Sequence, residues 1–202
     1  RYSMKAVREG FCHRSRTGHG SVRYANHAAP SSDSSRARNA RFHITGFYHV
    51  MRRLILFDID GTLLTTNGAA RRAFHRALLE VYGTAGPIAT HAFDGKTDPL
   101  IARELLRAAG LADAAIDRGF EALWPTYLRN LAVELARPDH TTSVFPGVVE
   151  LLDALAERED EVVVGLLTGN IEQGAVLKLE SAGLGGRFAF GAYGSDHERR
   201  DC

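Results

Sequence analysis

Cysteine is almost absent: Cys12 and Cys202 stand near opposite ends of a 202-residue chain. Two such residues offer no disulfide framework and fit a reducing compartment, so the expected location is cytoplasmic. No apolar run approaches the roughly 20 residues a membrane helix needs, which excludes a bilayer-spanning segment. Internal repeats and low-complexity arrays are also lacking. Net charge is nearly absent at +1, but it is unevenly placed. The first 50 positions hold nine of the 25 basic residues and two of the 24 acidic ones, Glu9 and Asp33. The remainder is therefore mildly acidic and carries no nucleic-acid footprint. A composition 45% hydrophobic and 24% charged is that of an ordinary soluble protein, one core domain with a modest insertion.

Residues 1–50 have no hydrophobic periodicity, and Pro30-Ser31-Ser32-Asp33-Ser34-Ser35 reads as linker. The segment is expected to be disordered or a non-native N-terminal extension. Its Arg-rich, Ser-rich composition also suits a transit peptide, but no amphipathic helix accompanies it. Translated upstream sequence, with Met51 opening the protein proper, fits best. A basic nucleic-acid tail is the sharper and weaker alternative.

What the chain does contain is organised around Leu54-Ile55-Leu56-Phe57-Asp58-Ile59-Asp60-Gly61-Thr62. The apolar run Leu54 to Asp58 predicts a strand buried on both faces of a parallel sheet. Asp58 and Asp60, two positions apart, leave from the same side at the strand's carboxyl end, where open α/β sheets place ligands. Paired carboxylates there either share a proton or hold a cation. Leaving both acids in a purely structural role would be costly.

Helical spacing follows. Ala70, Ala73/Phe74, Ala77/Leu78 and Val81 predict a helix stopped by Gly83. Asp98-Pro99 predicts a capped start, with Leu100, Ile101, Leu105 and Ala108 on its apolar face. Ile116, Phe120, Leu123/Trp124, Tyr127/Leu128, Leu131 and Leu135 predict a longer helix carrying Pro125. At this spacing Trp124 and Tyr127 read as core rather than as a substrate-stacking pair. Strand and helix then alternate. A helix opens at Pro146-Gly147, and Val162 to Leu167 is a second buried strand ending in Thr168-Gly169-Asn170. Asn170 and Gln173 form a capping-box pattern before the next helix. Phe188 to Tyr193 is a third, weaker strand.

Asp58-x-Asp60-Gly61-Thr62 on a first strand, with Thr168-Gly169-Asn170 on a second, resembles the haloacid dehalogenase (HAD) superfamily over residues 52 to about 200. Pro146-Gly147 and Lys96-Thr97-Asp98 resemble its phosphoglycolate phosphatase branch. The resemblance implies an α/β, Rossmannoid core made of residues 51–66 and 143–202, with a helical cap inserted at 67–142. It also implies a Mg²⁺-dependent phosphomonoester hydrolase for a small phosphorylated, phosphoglycolate-like metabolite. Asp58 would be the nucleophile that forms an aspartyl-phosphate, and Asp60 the general acid and base. The ion would sit on Asp58 and the backbone carbonyl of Asp60. Thr168, with the amides of Gly169 and Asn170, would seat the phosphate. Hydrolytic dehalogenases generally lack the second acid, so Asp60 favours phosphoryl transfer.

The family's phosphate-steadying cation is assigned to Arg200. Lys178 is a second candidate, but it lies eight residues beyond Asn170, about 12 Å along a helix, and reads rather as a solvated helix residue. Lys96 and Thr97 sit in a loop that would touch the organic part of the substrate if the cap closes over it; an exposed loop is an equal alternative. His197, among acids, reads as solvated rather than as a metal ligand. The family's fourth element, an acidic loop on a further strand, has no counterpart. Its lack would weaken Mg²⁺ binding and activity and would leave the first strand as an apolar edge. Two other readings stand: a sugar-phosphate mutase of the β-phosphoglucomutase type, and a non-catalytic protein that keeps the fold.

Overall fold

The structure is a computed structural model that describes residues 52–198. Expectations for residues 1–50, Met51, Arg200 and the two cysteines fall outside the described residues.

Three parallel strands form the sheet, in the order β1 (Arg53–Phe57), β4 (Val162–Leu167), β5 (Gly191–Ala192). Arg53 stands opposite Val162 and Phe57 opposite Leu166, so both strands end side by side at the same edge of the sheet. Parallel neighbours need a crossover. Helix α4 (Val148–Ala156) precedes β4, and α5 (Glu172–Ser181) carries the chain from β4 to β5.

Two strand expectations need correction. The first strand ends at Phe57 rather than Asp58, and it is not buried on both faces: Leu54 is 59% and Leu56 43% exposed. Among the described residues, β4 is its only ladder partner in the sheet, so β1 is an edge strand. The third strand shrinks from six residues to Gly191–Ala192. Phe188 turns its ring edge-on to Phe57, with centroids 6.1 Å apart, and so serves packing rather than the ladder.

Between β2 (Leu64–Thr65) and β3 (Ser143–Val144), an antiparallel pair, the chain makes three helices: α1 (Ala69–Tyr82), α2 (Asp98–Ala108) and α3 (Asp113–Leu135). The predicted periodicities hold, except that Ala108 of α2 is exposed rather than on the apolar face. Ala73, Phe74, Ala77 and Leu78 of α1 meet Ile116, Leu123, Tyr127 and Leu131 of α3, with Ile101, Leu105 and Leu106 of α2 completing the cluster. Each fully buried leucine here contributes about 1.5–3 kcal/mol. The Tyr82 hydroxyl donates to the Ile116 carbonyl at 2.7 Å and pins the far end of α1 to α3. Ile171, from beyond β4, inserts into this helical cluster. A second cluster, including Ile59, Leu63, Leu152, Leu166 and Leu179, packs against the sheet.

The two connections between sheet and helices are cross-tied by Asn67, which sits in the left-handed region at φ 47°. Its Nδ2 donates to the Thr141 carbonyl at 2.7 Å and to Ser143 Oγ at 3.0 Å.

Both predicted caps are also displaced by one residue. Thr97, not Asp98, caps α2, its Oγ1 accepting from the Leu100 N–H at 3.3 Å. Ile171, not Asn170, stands at the start of α5 without a side-chain cap. Each displacement frees a polar side chain, Asp98 and Asn170, for contacts away from its own helix. None of the described helices is long and apolar enough to cross a membrane.

Candidate active site

A cavity of about 200 Å³ opens where the carboxyl ends of β1 and β4 face the inserted helices. Asp58, Asp60, Thr168, Gly169, Asn170 and Lys178 form its sheet-side wall. Arg71, Phe74, Phe93, Lys96, Asp98 and Tyr127 are among the residues on the helical side. The parallel register brings Asp58 and Thr168 together, since each follows directly on the last paired residues of its strand.

Asp58 Oδ1 accepts the Ile59 N–H at 2.9 Å. Asp60 is held more elaborately. Its Oδ2 accepts from Lys178 Nζ at 2.7 Å and from Asn170 Nδ2 at 2.8 Å. Lys178 Nζ also donates to Asn170 Oδ1 at 2.5 Å, closing a three-residue ring. Asn170 Nδ2 reaches Thr168 Oγ1 at 2.7 Å, which joins the ring to the second strand. A buried ammonium persists only when paired and hydrogen-bonded, and Lys178, 3% exposed, is both.

Lys178 is thus a site residue, contrary to its reading as a solvated helix position. The 12 Å rise along the helix was the wrong measure. The helix begins only at Glu172, and helical side chains lean back toward the N-terminus. The long lysine stem therefore returns to the site. A signal was present in the sequence: Ala175, Lys178, Leu179 and Ala182 share the spacing of the apolar stripe. A lysine inside a buried stripe needs a partner.

Asp98 is the second residue that sequence reasoning placed incorrectly. Freed from capping α2, its Oδ2 accepts the Ile171 N–H at 2.9 Å, and its own N–H donates to the Gly169 carbonyl at 2.8 Å. The residue keeps some surface, yet its carboxyl is enclosed, and burial pushes that group up to about 6. Lys178 and the Ile171 N–H pull it down, and the Asp60 charge adds a smaller push upward. Tyr127, 1% exposed, is held well above the usual tyrosine range by burial first, then by the charges of Asp98 and Asp60.

These contacts occupy part of the expected phosphate seat. The Ile171 N–H at the start of α5 is taken by Asp98, the Glu172 N–H by Ser195 Oγ at 3.2 Å, and the Asn170 N–H by Thr168 Oγ1 at 3.4 Å. The helix start is therefore largely satisfied from within, and the Thr168 hydroxyl with the Lys178 ammonium provides the polar end of the cavity. Lys96 lines the cavity as expected. Thr97 does not: it is buried, and its hydroxyl donates to the Glu198 carbonyl. His197 is exposed and belongs to no group of three metal-ligating side chains among the described residues.

No described trio of His, Cys, Asp and Glu gathers at the cavity either. The cavity is nevertheless lined by two residues with hard oxygen donors, Asp58 and Asp60. That set suits Mg²⁺, which commonly takes one or two protein oxygens and completes its shell with water and substrate phosphate.

The sequence profile of the haloacid dehalogenase-like hydrolases matches residues 52–201. Among solved structures, CbbY from Rhodobacter sphaeroides in complex with phosphate superposes with a TM-score of 0.52 at 23% identity. A predicted phosphoglycolate phosphatase from Haemophilus somnus 129PT gives 0.50 at 18% identity. Each alignment covers 72% of this chain and 64% of the other, so the chain spans less than two thirds of their length. At these identities the likeness is one of fold. Comparison with curated proteins gives no significant match. The match over 52–201, on the fold and carboxylate pair described above, establishes that the chain belongs to the haloacid dehalogenase-like hydrolases.

Proposed function

We propose that the chain carries the site of a phosphomonoester hydrolase that works through an aspartyl-phosphate on Asp58 and acts on a small phosphorylated metabolite of the phosphoglycolate kind. The observation that carries this reading is the wall formed by Asp58, Asp60, Asn170, Thr168 and Lys178, two carboxylates and a phosphate-sized set of donors. A fold neighbour crystallised with phosphate agrees with such a seat.

In the first step an Asp58 oxygen attacks phosphorus, and the bond to the ester oxygen breaks. Asp60, protonated, gives its proton to the departing alcohol. The carboxylate it becomes is the form that the resting structure pairs with the Lys178 ammonium at 2.7 Å, so Asp60 takes up the proton it donates only when the anionic ester binds. In the second step that carboxylate takes a proton from water as the water oxygen attacks phosphorus. The Asp58–phosphorus bond then breaks, inorganic phosphate leaves, and both acids return to their starting forms. A Mg²⁺ held by Asp58 and the Asp60 carbonyl would offset the repulsion between the nucleophile and the phosphate. Helices α1 to α3 serve as the cap that closes over the ester and keeps bulk water away.

The test is Mg²⁺-dependent release of inorganic phosphate from small monoesters, alongside trapping with beryllofluoride. Release that disappears in Asp58→Asn, with beryllofluoride bound only when Asp58 is intact, is the expected result. Phosphate release unchanged in Asp58→Asn would sink the proposal.

A further inference from the structure

We infer that Arg71 is an anion receptor on the helical wall of the cavity and selects phosphate monoesters whose short carbon tail carries a second negative group, a carboxylate or another phosphate. The inference rests on the phosphatase reading for the position of the first phosphate, and it adds the residue that reads the other end of the molecule.

The two residues expected to read the tail are already engaged. Lys96 Nζ lies 2.6 Å from Glu104 Oε2, so its charge is neutralised. Thr97 is spent on the Leu100 N–H and the Glu198 carbonyl and does not reach the cavity. Arg71 differs from both. Its Nη1 donates to the Ile88 carbonyl at 2.6 Å, with longer contacts to the His91 carbonyl at 3.4 Å. Its guanidinium carbon lies 4.1 Å from the centre of the Phe93 ring. These partners hold and orient the cation, but none of them is an anion.

Neighbouring arginines show the contrast. Arg72 pairs with Glu134, Arg103 with Asp117 and Glu198, Arg107 with Asp113, and Arg129 with Glu80. Arg71 lines the cavity and, among the described residues, has no carboxylate within ion-pair distance; Asp94 lines the same cavity but lies beyond that range.

A fixed guanidinium with unspent donors is suited to bidentate recognition of a carboxylate or phosphate. Stacking on Phe93 and the carbonyl contacts order the side chain before any ligand arrives, which reduces the entropy lost on binding. The cavity bounds the ligand's length. At about 200 Å³ it is smaller than the roughly 300–1,000 Å³ of sites for drug-sized ligands. Phosphate at Asp58 and a second anion at Arg71 thus imply only a few atoms between them.

Calorimetric titration of the Asp58→Asn chain, with Mg²⁺ present, compares 2-phosphoglycolate with 2-hydroxyethyl phosphate, a monoester of similar size and neutral tail. The charged tail is expected to bind about ten-fold tighter. Arg71→Gln, which removes the charge and keeps a polar side chain, should erase that preference and leave the neutral ester's affinity within about two-fold. Equal binding of the two esters by the Arg71-containing chain overturns the inference whether or not the variant folds. So does an equal loss for both esters in Arg71→Gln. Hydrolysis assays with Asp58 intact speak to the phosphatase reading separately. If neither ester is turned over while the charge preference persists and depends on Arg71, the reaction is wrong and the receptor stands.

Discussion

Lys178 Nζ and Asp60 Oδ2 lie 2.7 Å apart, a buried ammonium paired with the second carboxylate of the first-strand motif across 118 positions of sequence. Replacing Lys178 with methionine keeps all but the last atom of the side chain's length and removes its charge. Asp60 would keep Asn170 as a donor, while Asn170 Oδ1 would lose its contact. The expected loss in kcat/KM for a phosphate monoester is on the order of 100-fold, the scale seen when one preorganised electrostatic donor is removed. Thermal stability should fall as well, because the buried Asn170 amide oxygen is left without its donor, a cost of about 1–3 kcal/mol. Steady-state kinetics with a melting curve separate the two effects. Unchanged activity would return Lys178 to the status of an ordinary helix residue.

The peptide at Gly169 is enclosed on both sides. A Cβ at Gly169 would come within 2.0 Å of the Lys96 carbonyl oxygen, and one at Gly194 within 2.1 Å of the Gly169 carbonyl oxygen. Backbone atoms cannot swing aside as a side-chain tip can. Gly169→Ala is therefore expected to push the Lys96–Asp98 segment off the phosphate side of the site and to break the Asp98 N–H contact to the Gly169 carbonyl. A destabilisation of about 1–3 kcal/mol follows from overpacking. Hydrogen exchange should show faster exchange at Asp98 than in the unmutated chain. Wild-type protection at Asp98 in a folded Gly169→Ala variant would contradict this arrangement.

The elements with long, regular patterns were readable from sequence because one physical rule dominated each. In α1 and α3, apolar spacing alone decided which face met its neighbour. The Asp58/Asp60 and Thr168 pairing was readable because strand ends in a parallel sheet share an edge. What escaped was every contact decided by tertiary geometry. Asp98 looked like a cap by local rules, but Thr97 fills that role and Asp98 reaches Ile171, 73 positions away. Leu54 and Leu56 read as core from their apolar run alone, and only the lack of a further strand pointed to the edge position that β1 holds among the described residues. Arg71 gave no signal, since its isolation from carboxylates exists only once the chain is folded.

Thr97 offers a test that divides its sequence-derived role from its structural one. As the cap of α2, and as a donor to the Glu198 carbonyl, it should matter to stability and not to substrate binding. Thr97→Val is expected to cost about 1–2 kcal/mol, a lost cap plus a carbonyl left without its donor. For a domain of this size that is a fall in Tm of roughly 2–8 °C. KM for the ester should stay unchanged at temperatures well below the transition. A raised KM without a lower Tm would restore the expectation that Thr97 touches the substrate.

Asp98 gives the pH dependence a definite sign. Its carboxyl is raised to about 6 in the folded chain by burial, above the ordinary value of 3.8. Between these values the folded state binds more protons than the unfolded state, so stability falls as pH rises through the window. Above about pH 6 the cost of ionising this carboxyl is fully present, on the order of 3 kcal/mol. Other carboxylates, such as Glu134, are lowered by arginine partners and slope the opposite way, so the raw curve of the unmutated chain mixes both signs. The difference from Asp98→Asn isolates the effect, because the amide oxygen can still accept the Ile171 N–H while carrying no charge. Denaturant unfolding of the two chains from pH 4 to pH 8 should show the variant gaining relative stability between about pH 4 and 6 and holding that advantage above. A constant difference across this range would mean that the Asp98 carboxyl ionises as it does in water, and the enclosure described around it would be wrong.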